Sequence, residues 1–445
     1  MNRKDLTQGN LSLHLIRLAL PLMLGNILQQ MYNTIASLVV NRYAGELEYA
    51  ATGVSSSVMN LFLFLVIGAC TGISVLFSQE YGAGDLSAFR RQHFISLVFG
   101  LGATALISIC AILLLPQLLD LIQTPEELFG YTRVYLTIVL ASLPAAFLYN
   151  LYNALLRSVG STNAALGVLT LSVALNLVLS LLFVAKLGMG IAGAAWATAI
   201  AQTFSAAACF LYLRKTHPAL IFTREDCRMD RELLTRTAHF SFVTAMHQSG
   251  LYLGKLMVQG AVNSMGTALI SAYTTTTRIE GFVNSAGDSC AAATSVLVAQ
   301  NLGAKREDRV EEAYHKSMRI NAFLGVLCTA ILYCFAPQTT AWLLGSSSGI
   351  AFDNAVSYLR LVALFYVLCY TGNFFVGYLD GIGRVTLPLI GACSHISMRA
   401  ILSWLWIGTM GLDAVALATG IGWVWCNFFW WVCCRYLRKK EKTSI

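Results

Sequence analysis

Long stretches without a charged residue dominate this chain and restrict it to a membrane environment. A helix needs about 20 mostly apolar residues to cross a bilayer. Eight uncharged runs of that order are present: 18–41, 51–79, 134–156, 158–185, 187–213, 320–352, 361–379 and 414–434. Four further runs contain histidine or charged residues: 92–119, 237–262, 268–299 and 385–412. Only 12% of the 445 residues are charged, against about 25% in soluble domains. The sequence therefore predicts an all-α integral membrane protein with twelve transmembrane helices.

The distribution of basic residues predicts the orientation of these helices. With the N-terminus inside, the segments on the outer side contain only four of the 30 Lys and Arg residues, namely Arg42, Arg133, Lys186 and Arg360. Cytoplasmic loops carry the excess of Lys and Arg in membrane proteins, so both termini are predicted to be cytosolic. This topology explains the formal net charge of +8, and no nucleic-acid partner is expected.

A ten-residue phrase occurs twice, half the chain apart. "SVLFSQEYGA" at 74–83 and "SVLVAQNLGA" at 295–304 share six identical positions at an offset of 221. The same offset relates "MGIAGAAWATAI" at 189–200 to "MGLDAVALATGI" at 410–421. Two matches at one offset predict two repeats of six helices, inserted the same way up. Parallel repeats of this kind are a transporter architecture.

The repeat divides the chain into two predicted lobes. The predicted N-lobe is 1–213, a charged cytosolic linker covers 214–236, and the predicted C-lobe is 237–445. Within the repeated phrase, the two glutamines are predicted to close their helices at the cytosolic face, and the two glycines to allow the turn. These helix-end residues are Gln79, Gly82, Gln300 and Gly303.

Several phrases resemble the MATE (multidrug and toxic compound extrusion) family, and most closely its DinF-like bacterial branch. They are "ALPLMLGNILQQMYNTI" at 19–35, "SQEYGAGD" at 78–85, "NALLRSVGST" at 153–162, "AQNLGA" at 299–304 and "GYLDGIGR" at 377–384. The resemblance covers nearly the whole chain. It implies a V-shaped antiporter of twelve helices, monomeric, in the bacterial cytoplasmic membrane. Such a protein exports drugs in exchange for inward H⁺ or Na⁺.

The chain departs from this family at its usual coupling acids. Many relatives carry an acid just after "YNT", where this chain has Ala36. Relatives also often have an Asn–x–x–x–Asp pattern in the fifth helix, where this chain has Asn176 and Ser180. The acids that other branches use in the seventh and tenth helices are missing as well. The family's ion site therefore does not carry over to these positions.

Ionisable residues lie instead within the predicted spans of the second half. These include Lys255, Glu280 and Asp288. Charged residues at membrane depth are costly and usually functional. The two acids are separated by about 80° around a helix, so both can face one cavity. We hypothesise that Glu280 and Asp288 take up the coupling proton, with Lys255 as a movable counter-charge. A static Lys255–Glu280 ion pair that only joins two helices is the structural alternative.

A second set of residues is predicted to line a substrate cavity. Thioether and aromatic side chains suit bulky, flat cations, and Arg399 lies at membrane depth. The candidates are Tyr32, Asn33, Tyr252, Met257, Gln259, Asn176 and Arg399. Ordinary helix packing is the structural alternative for the aromatic residues and Met257. For Arg399 the alternative is a polar pair with His395, satisfied within the protein.

The leading functional hypothesis is a secondary active antiporter that exports drugs or other xenobiotics. Its partners would be small organic substrates and the lipid bilayer. No cofactor is expected beyond the coupling ion. H⁺ is favoured over Na⁺, because Na⁺ needs several oxygen ligands and no competing cation. The runner-up is a lipid-linked oligosaccharide flippase of the same superfamily, since the basic residues inside the spans outnumber the acids. An intramembrane enzyme is least favoured, because no HExxH, Walker or GxSxG motif is present.

Overall fold

The computed structural model describes residues 6–443, without the side chains at 32–35, 37 and 441–443. Every regular element in this described range is helical. The α-helices are α1 (Leu11–Ala44), α2 (Glu46–Ala83), α3 (Leu86–Leu113), α4 (Leu115–Leu121), α5 (Glu126–Ala141), α6 (Leu143–Ser158), α7 (Thr162–Ser180), α8 (Gly190–Thr216), α9 (Arg231–Asn263), α10 (Thr267–Gly303), α11 (Glu307–Leu344), α12 (Ile350–Ala363), α13 (Tyr366–Gly381), α14 (Thr386–Met410) and α15 (Leu412–Thr443). A π-helical segment, Leu181–Lys186, continues α7.

The predicted spans follow these helices in order, but two spans are bent pairs. Helices α5 and α6 meet at an angle of 45°, and α12 and α13 meet at 53°. Pro144 in the first turn of α6 explains the first bend, because proline has no N–H to donate. The predicted run 320–352 is wrong at its end. Helix α11 ends at Leu344, where Gly345 adopts a left-handed conformation with φ of 73°.

Not every helix is apolar enough to be counted as a membrane span from its length and composition. In the described part of the chain, seven helices are long and apolar enough to cross a membrane, or nine when each bent pair counts as one span. Helices α9, α10 and α14 do not meet this test, and they carry Lys255, Glu280, Asp288 and Arg399. The number of twelve spans and the cytosolic termini therefore stay predictions.

The repeated phrase ends both α2 and α10, but the turn differs from the prediction. Gly82 lies within α2, and Gly303 is the last residue of α10. The left-handed residues are Gly84, with φ of 73°, and Lys305, with φ of 55°. Gly84 and Lys305 are related by the offset of the repeated phrase, so the turn has a left-handed residue at the same place in both repeats. The prediction that Gly82 and Gly303 allow the turn is therefore wrong. The left-handed residue that ends a helix normally follows the last helical turn, and Gly82 and Gly303 still belong to their helices.

The chain forms two compact units, and each holds its own apolar core. The first unit includes Leu24–Ala245, and the second is Leu6–Met23 with Met246–Ile445. The division falls within α1 and α9 and not at the linker. The predicted lobe limits are therefore not the limits of these units, and the repeat boundary stays a prediction.

Close packing explains why the first half of α9 belongs to the first unit. A Cβ atom at Gly68 of α2 would lie 2.6 Å from the Thr244 carbonyl oxygen of α9, so only glycine permits this approach. Gln92 of α3 donates to the Thr237 hydroxyl at 2.7 Å. The linker is docked as well, because Arg90 and Asp226 form an ion pair at 2.8 Å.

The start of the described chain is held in the second unit in a similar way. Arg309 of α11 donates to the carbonyl oxygens of Leu6 and Gly9 at 3.3 and 3.1 Å. Asn301 of α10 also donates to the Leu6 oxygen, at 3.3 Å. Leu11 is buried in the apolar core of this unit. These contacts explain why the first part of α1 belongs to the second unit.

Candidate functional site

Glu280 is the centre of a buried polar cluster in the second unit. Its side chain lies on α10 and is 9% exposed. The Tyr358 hydroxyl of α12 lies 3.4 Å from both carboxylate oxygens. The Tyr366 hydroxyl of α13 lies 3.4 Å from Oε1. These two tyrosines stand on either side of the bend between α12 and α13, so the bend aims both hydroxyls at one carboxylate.

Two cations from different helices act on this carboxylate. Arg399 of α14 and Lys255 of α9 are close enough to interact electrostatically with Glu280. The Arg399 Nη2 atom lies 3.5 Å from the hydroxyl of Tyr273, whose ring meets that of Tyr358 edge-on at 6.1 Å. Among the described residues, no ion pair within 4.0 Å joins Glu280 to a cation. The carboxylate is therefore held by long hydrogen bonds and by charges at a distance.

Asp288 lies two turns further along α10 in a different setting. Its side chain is exposed, and Asn373 of α13 donates to it at 3.5 Å. Lys255 interacts electrostatically with Asp288 as well as with Glu280, and its own side chain is exposed. The structure thus brings the three predicted ion-coupling residues into one electrostatic group, in which Lys255 is shared by a buried and an exposed acid.

The predicted cavity residues do not all join this group. Tyr252 and Gln259 are half-buried on α9, and Met257 is 53% exposed. Gln259 donates to the Asn263 side chain at 2.7 Å. Asn176 lies in the first unit, where it accepts a hydrogen bond from the Ser180 hydroxyl at 3.0 Å. The predicted cavity residues Tyr32 and Asn33 fall outside the described side chains.

Arg399 and His395 do not form the polar pair that is the structural alternative for Arg399. His395 is buried and stacks on Trp423, with a centroid distance of 6.4 Å. Neither its Nε2 atom nor the Arg399 Nε atom has a hydrogen-bond partner among the described residues. Arg399 thus points a partly unsatisfied guanidinium into the cluster.

The helix-end residues belong to the packing between elements. Gln79 accepts a hydrogen bond from Arg236 of α9, whose guanidinium also lies 3.6 Å from Glu80. Gln300 is buried at the end of α10. Gln79 and Gln300 thus lie near the ends of α2 and α10, and their role in ending the two helices stays a prediction.

Sequence patterns did not reveal the tyrosines of the cluster. Tyr273, Tyr358 and Tyr366 are buried within an apolar core, and in sequence they are typical of aromatic packing. A signal was present nonetheless, because charged residues within spans need polar partners. Tyr358 and Tyr366 are two of the many hydroxyl-bearing residues within the predicted spans that could meet this need.

A family model described as MatE matches the chain twice, at residues 21–182 and 244–405. Together the two matches cover more than half of the chain. The chain belongs to the MatE family. This double match confirms the predicted family, and the interval between its two parts is nearly that of the repeated phrase.

Two relatives of this MatE protein align with 86% or more of its length. "Probable multidrug resistance protein YpnP" of Bacillus subtilis (strain 168) is 25% identical over 447 residues, which cover 99% of this chain and 98% of that protein. "DNA damage-inducible protein F" of Escherichia coli (strain K12) is 26% identical over 394 residues, which cover 86% and 81%. Membership of a transporter family agrees with the prediction that the chain is not an enzyme.

Solved structures have the same fold. A MATE protein in the bent conformation superimposes with a TM-score of 0.92 at 23% identity, covering 100% of both chains. A MOP superfamily transporter from Pyrococcus furiosus Vc1 (DSM3638) gives a TM-score of 0.90 at 22% identity, covering 99% of both chains. For that protein, reverse polarity of the binding pocket is said to suggest a different function. These likenesses confirm the all-helical transporter fold of this MatE protein.

Proposed function

We propose that this MatE protein is a secondary active antiporter that exports organic compounds across the bacterial cytoplasmic membrane in exchange for inward H⁺. One observation carries the proposal: Glu280 is buried, its hydrogen-bond partners among the described residues are the hydroxyls of Tyr358 and Tyr366 at 3.4 Å, and it interacts electrostatically with two cations on separate helices. Burial of a charge costs free energy unless partners compensate it. Small movements of those partners therefore change the proton affinity of this carboxyl group.

The charge balance of the cluster links the proton to the cargo. With both acids ionised, Glu280 and Asp288 balance Arg399 and Lys255. A proton on Glu280 leaves one excess positive charge, which repels a cationic cargo molecule bound nearby. Proton binding and cargo binding thus oppose each other, which is what exchange requires.

The donor set supports H⁺ as the coupling ion. Glu280 faces hydroxyl groups that donate to it and cations that compete with a metal ion. Na⁺ binding needs several oxygen ligands turned toward the ion, without a neighbouring cation. We further propose that the protein acts as a monomer with no organic cofactor and no nucleic-acid partner.

An anionic cargo is the second candidate, and Arg399 favours it. Its Nε atom has no hydrogen-bond partner among the described residues, and Lys255 is exposed. These two cations would suit a phosphate group, as in a lipid-linked oligosaccharide. For the Pyrococcus transporter of the same fold, reverse polarity of the binding pocket is said to suggest a different function.

Transport in proteoliposomes tests the proposal. Export of a fluorescent cationic dye is measured under a pH gradient and, separately, under a Na⁺ gradient. The wild type is compared with Glu280→Gln and Asp288→Asn, and Glu127→Gln, an exposed acid on α5, is the matched control. We expect export driven by the pH gradient in the wild type and the control, and its loss in Glu280→Gln.

Each other outcome has a definite meaning. Unimpaired coupled export in both variants would leave the cluster with a structural role only. Export driven by Na⁺ alone would reassign the coupling ion. No dye export under either gradient would favour the anionic cargo, and a lipid-linked phosphate would be the next compound to test.

A further inference from the structure

A pocket opens on the side of α12 that faces away from the Glu280 cluster. Helix α12 packs against α10, α11 and α15. The pocket has a volume of about 490 Å³ and lies among α11, α12 and the start of α15. This volume is within the range of about 300–1,000 Å³ that is usual for small-molecule sites. All of its walls belong to the second unit.

One face of α12 lines this pocket with an ordered series of side chains. Asp353, Ser357, Arg360 and Leu364 follow one another at intervals of four, three and four positions, so they share one helix face. From the N-terminal end of α12, the series reads carboxylate, hydroxyl, guanidinium and apolar group. Asp413 of α15 adds a second carboxylate and accepts a hydrogen bond from Ser357 at 2.9 Å.

Arg360 is the unusual member of this series. Its guanidinium lies over the ring of Tyr333 on α11, 5.7 Å from the ring centroid. No carboxylate in the described part of the chain lies within 4.0 Å of it. The rise from Asp353 to Arg360 is roughly 10 Å, which places Arg360 below the helix end. A guanidinium at such a depth needs an anionic partner or access to water.

The surroundings of the pocket indicate that lipid is the neighbour. Leu364, at the deep end of the pocket, is 58% exposed, and Tyr333 of α11, which also lines the pocket, is 45% exposed. Exposed apolar side chains on a membrane helix contact acyl chains. Arg360 therefore lies where the phosphate region of a lipid meets its apolar part.

We propose that this pocket binds the headgroup of an aminophospholipid from the leaflet that contains the start of α12, the outer leaflet in the predicted topology. The phosphate binds Arg360, and the primary ammonium group lies between Asp353 and Asp413. The acyl chains run along Leu364 toward the middle of the bilayer. The order of charges in the lipid, ammonium then phosphate then apolar chain, matches the order of side chains along α12.

The two carboxylates make the site selective. A phosphatidylglycerol headgroup has no cation to place between Asp353 and Asp413 and brings one more negative charge. A phosphatidylcholine headgroup is a zwitterion, but its quaternary ammonium group has no N–H to donate to a carboxylate. We therefore expect phosphatidylethanolamine to bind best, phosphatidylcholine less well, and phosphatidylglycerol least.

Native mass spectrometry of the purified full-length protein tests this order. The three lipids, with identical acyl chains, are added in turn, and the lipid-bound fraction is measured. Arg360→Gln is expected to lower retention of phosphatidylethanolamine by about tenfold, the effect of losing one charge-assisted phosphate contact. Arg133→Gln is the matched control, because Arg133 is an exposed arginine on α5, outside the pocket.

A second variant separates selectivity from binding. The double variant Asp353→Asn and Asp413→Asn is expected to retain the three lipids about equally, since Arg360 still binds phosphate. Equal retention of the three lipids by the wild type would overturn the proposal. The proposal would also be overturned if Arg360→Gln retained as much phosphatidylethanolamine as the wild type, or if Arg133→Gln lost as much as Arg360→Gln.

Discussion

One tyrosine occurs in both repeats of this protein but meets a different partner in each. In the first repeat, the Tyr135 hydroxyl lies 3.9 Å from the sulfur of Met59. The two family matches begin at residues 21 and 244, and this interval relates Tyr135 to Tyr358. The Tyr358 hydroxyl faces Glu280 in the second repeat. The offset of the repeated phrase relates Met59 to Glu280. The same scaffold thus holds a thioether in one half and a carboxylate in the other.

A second pair of equivalent positions also has an uncharged residue in the first repeat and a charged residue in the second. The interval between the family matches also relates Asn176 of α7 to Arg399 of α14. Asn176 is buried and bonded to Ser180 and Thr198, whereas Arg399 is a charged member of the Glu280 cluster. At these two pairs of equivalent positions, only the second repeat carries a charged residue. This asymmetry supports our proposal that ion coupling belongs to the second repeat.

The largest effect is expected when Glu280 of the second repeat is replaced by methionine, the residue at the equivalent position of the first repeat. In Glu280→Met we expect proton-driven export to fall by about tenfold or more, because the proton-binding group is gone. The assay is dye export from proteoliposomes under a pH gradient, with Met59→Leu as the control. Normal export by Glu280→Met would place the coupling group elsewhere.

The second test removes the cation. Arg399→Asn, which copies the first repeat, removes one of the two cations that act on Glu280 and should cost about 3 kcal/mol of stability, the lower end of the range for breaking a buried ion pair, because the two groups lie more than 4.0 Å apart. The thermal unfolding midpoint is the measurement. Combining it with Glu280→Met should recover most of the loss, because no buried charge is then left uncompensated. Additive losses in the double variant would mean that the two residues do not interact.

The third test compares the two tyrosines. Tyr358→Phe removes a hydroxyl from a buried carboxylate and should cost about 1–2 kcal/mol, with a change in the pH dependence of export. Tyr135→Phe removes only a weak contact to sulfur, so stability and pH dependence should both change little. The same pH profile for both variants would argue against a role of Tyr358 in proton binding.

The smallest effect is expected at the repeated turn. Gly84→Ala places a Cβ atom in a left-handed conformation and should lower stability by about 1 kcal/mol. Lys305→Gly relieves that strain in the second repeat, but the gain is smaller because glycine adds freedom to the unfolded chain. Denaturation curves of the two variants should therefore shift in opposite directions. Shifts in the same direction would mean that the two turns are not equivalent.

The helical frame could be predicted from the sequence because most of the apolar runs are long, and because basic residues mark their predicted cytosolic ends. The end of α11 was misplaced, since the Gly345 turn and its serines are as free of charge as the helix itself. The site was found only in part. Lys255, Glu280 and Asp288 are recognisable in the sequence because a charged residue within a membrane span costs free energy. Tyr358 and Tyr366 are not, because they belong to a core that contains other aromatic residues. The assignment of α1 and α9 to both units depends on backbone contacts at Gly68 and Leu6, which no single-residue pattern reveals.

The charges of α9 and α10 also have a consequence for synthesis. A charged residue near the centre of a helix costs about 2.5–3.5 kcal/mol during insertion into the membrane. These two helices carry Lys255, Arg278, Glu280 and Asp288, whereas α2 of the first repeat has no charge between Glu48 and Glu80. We expect α2 to enter the bilayer unaided, but α9 and α10 to enter together, because Lys255 of α9 and Arg278 of α10 then offset the two acids. Variants that remove one charge can therefore reduce the amount of assembled protein in the membrane, so export rates must be divided by the inserted fraction.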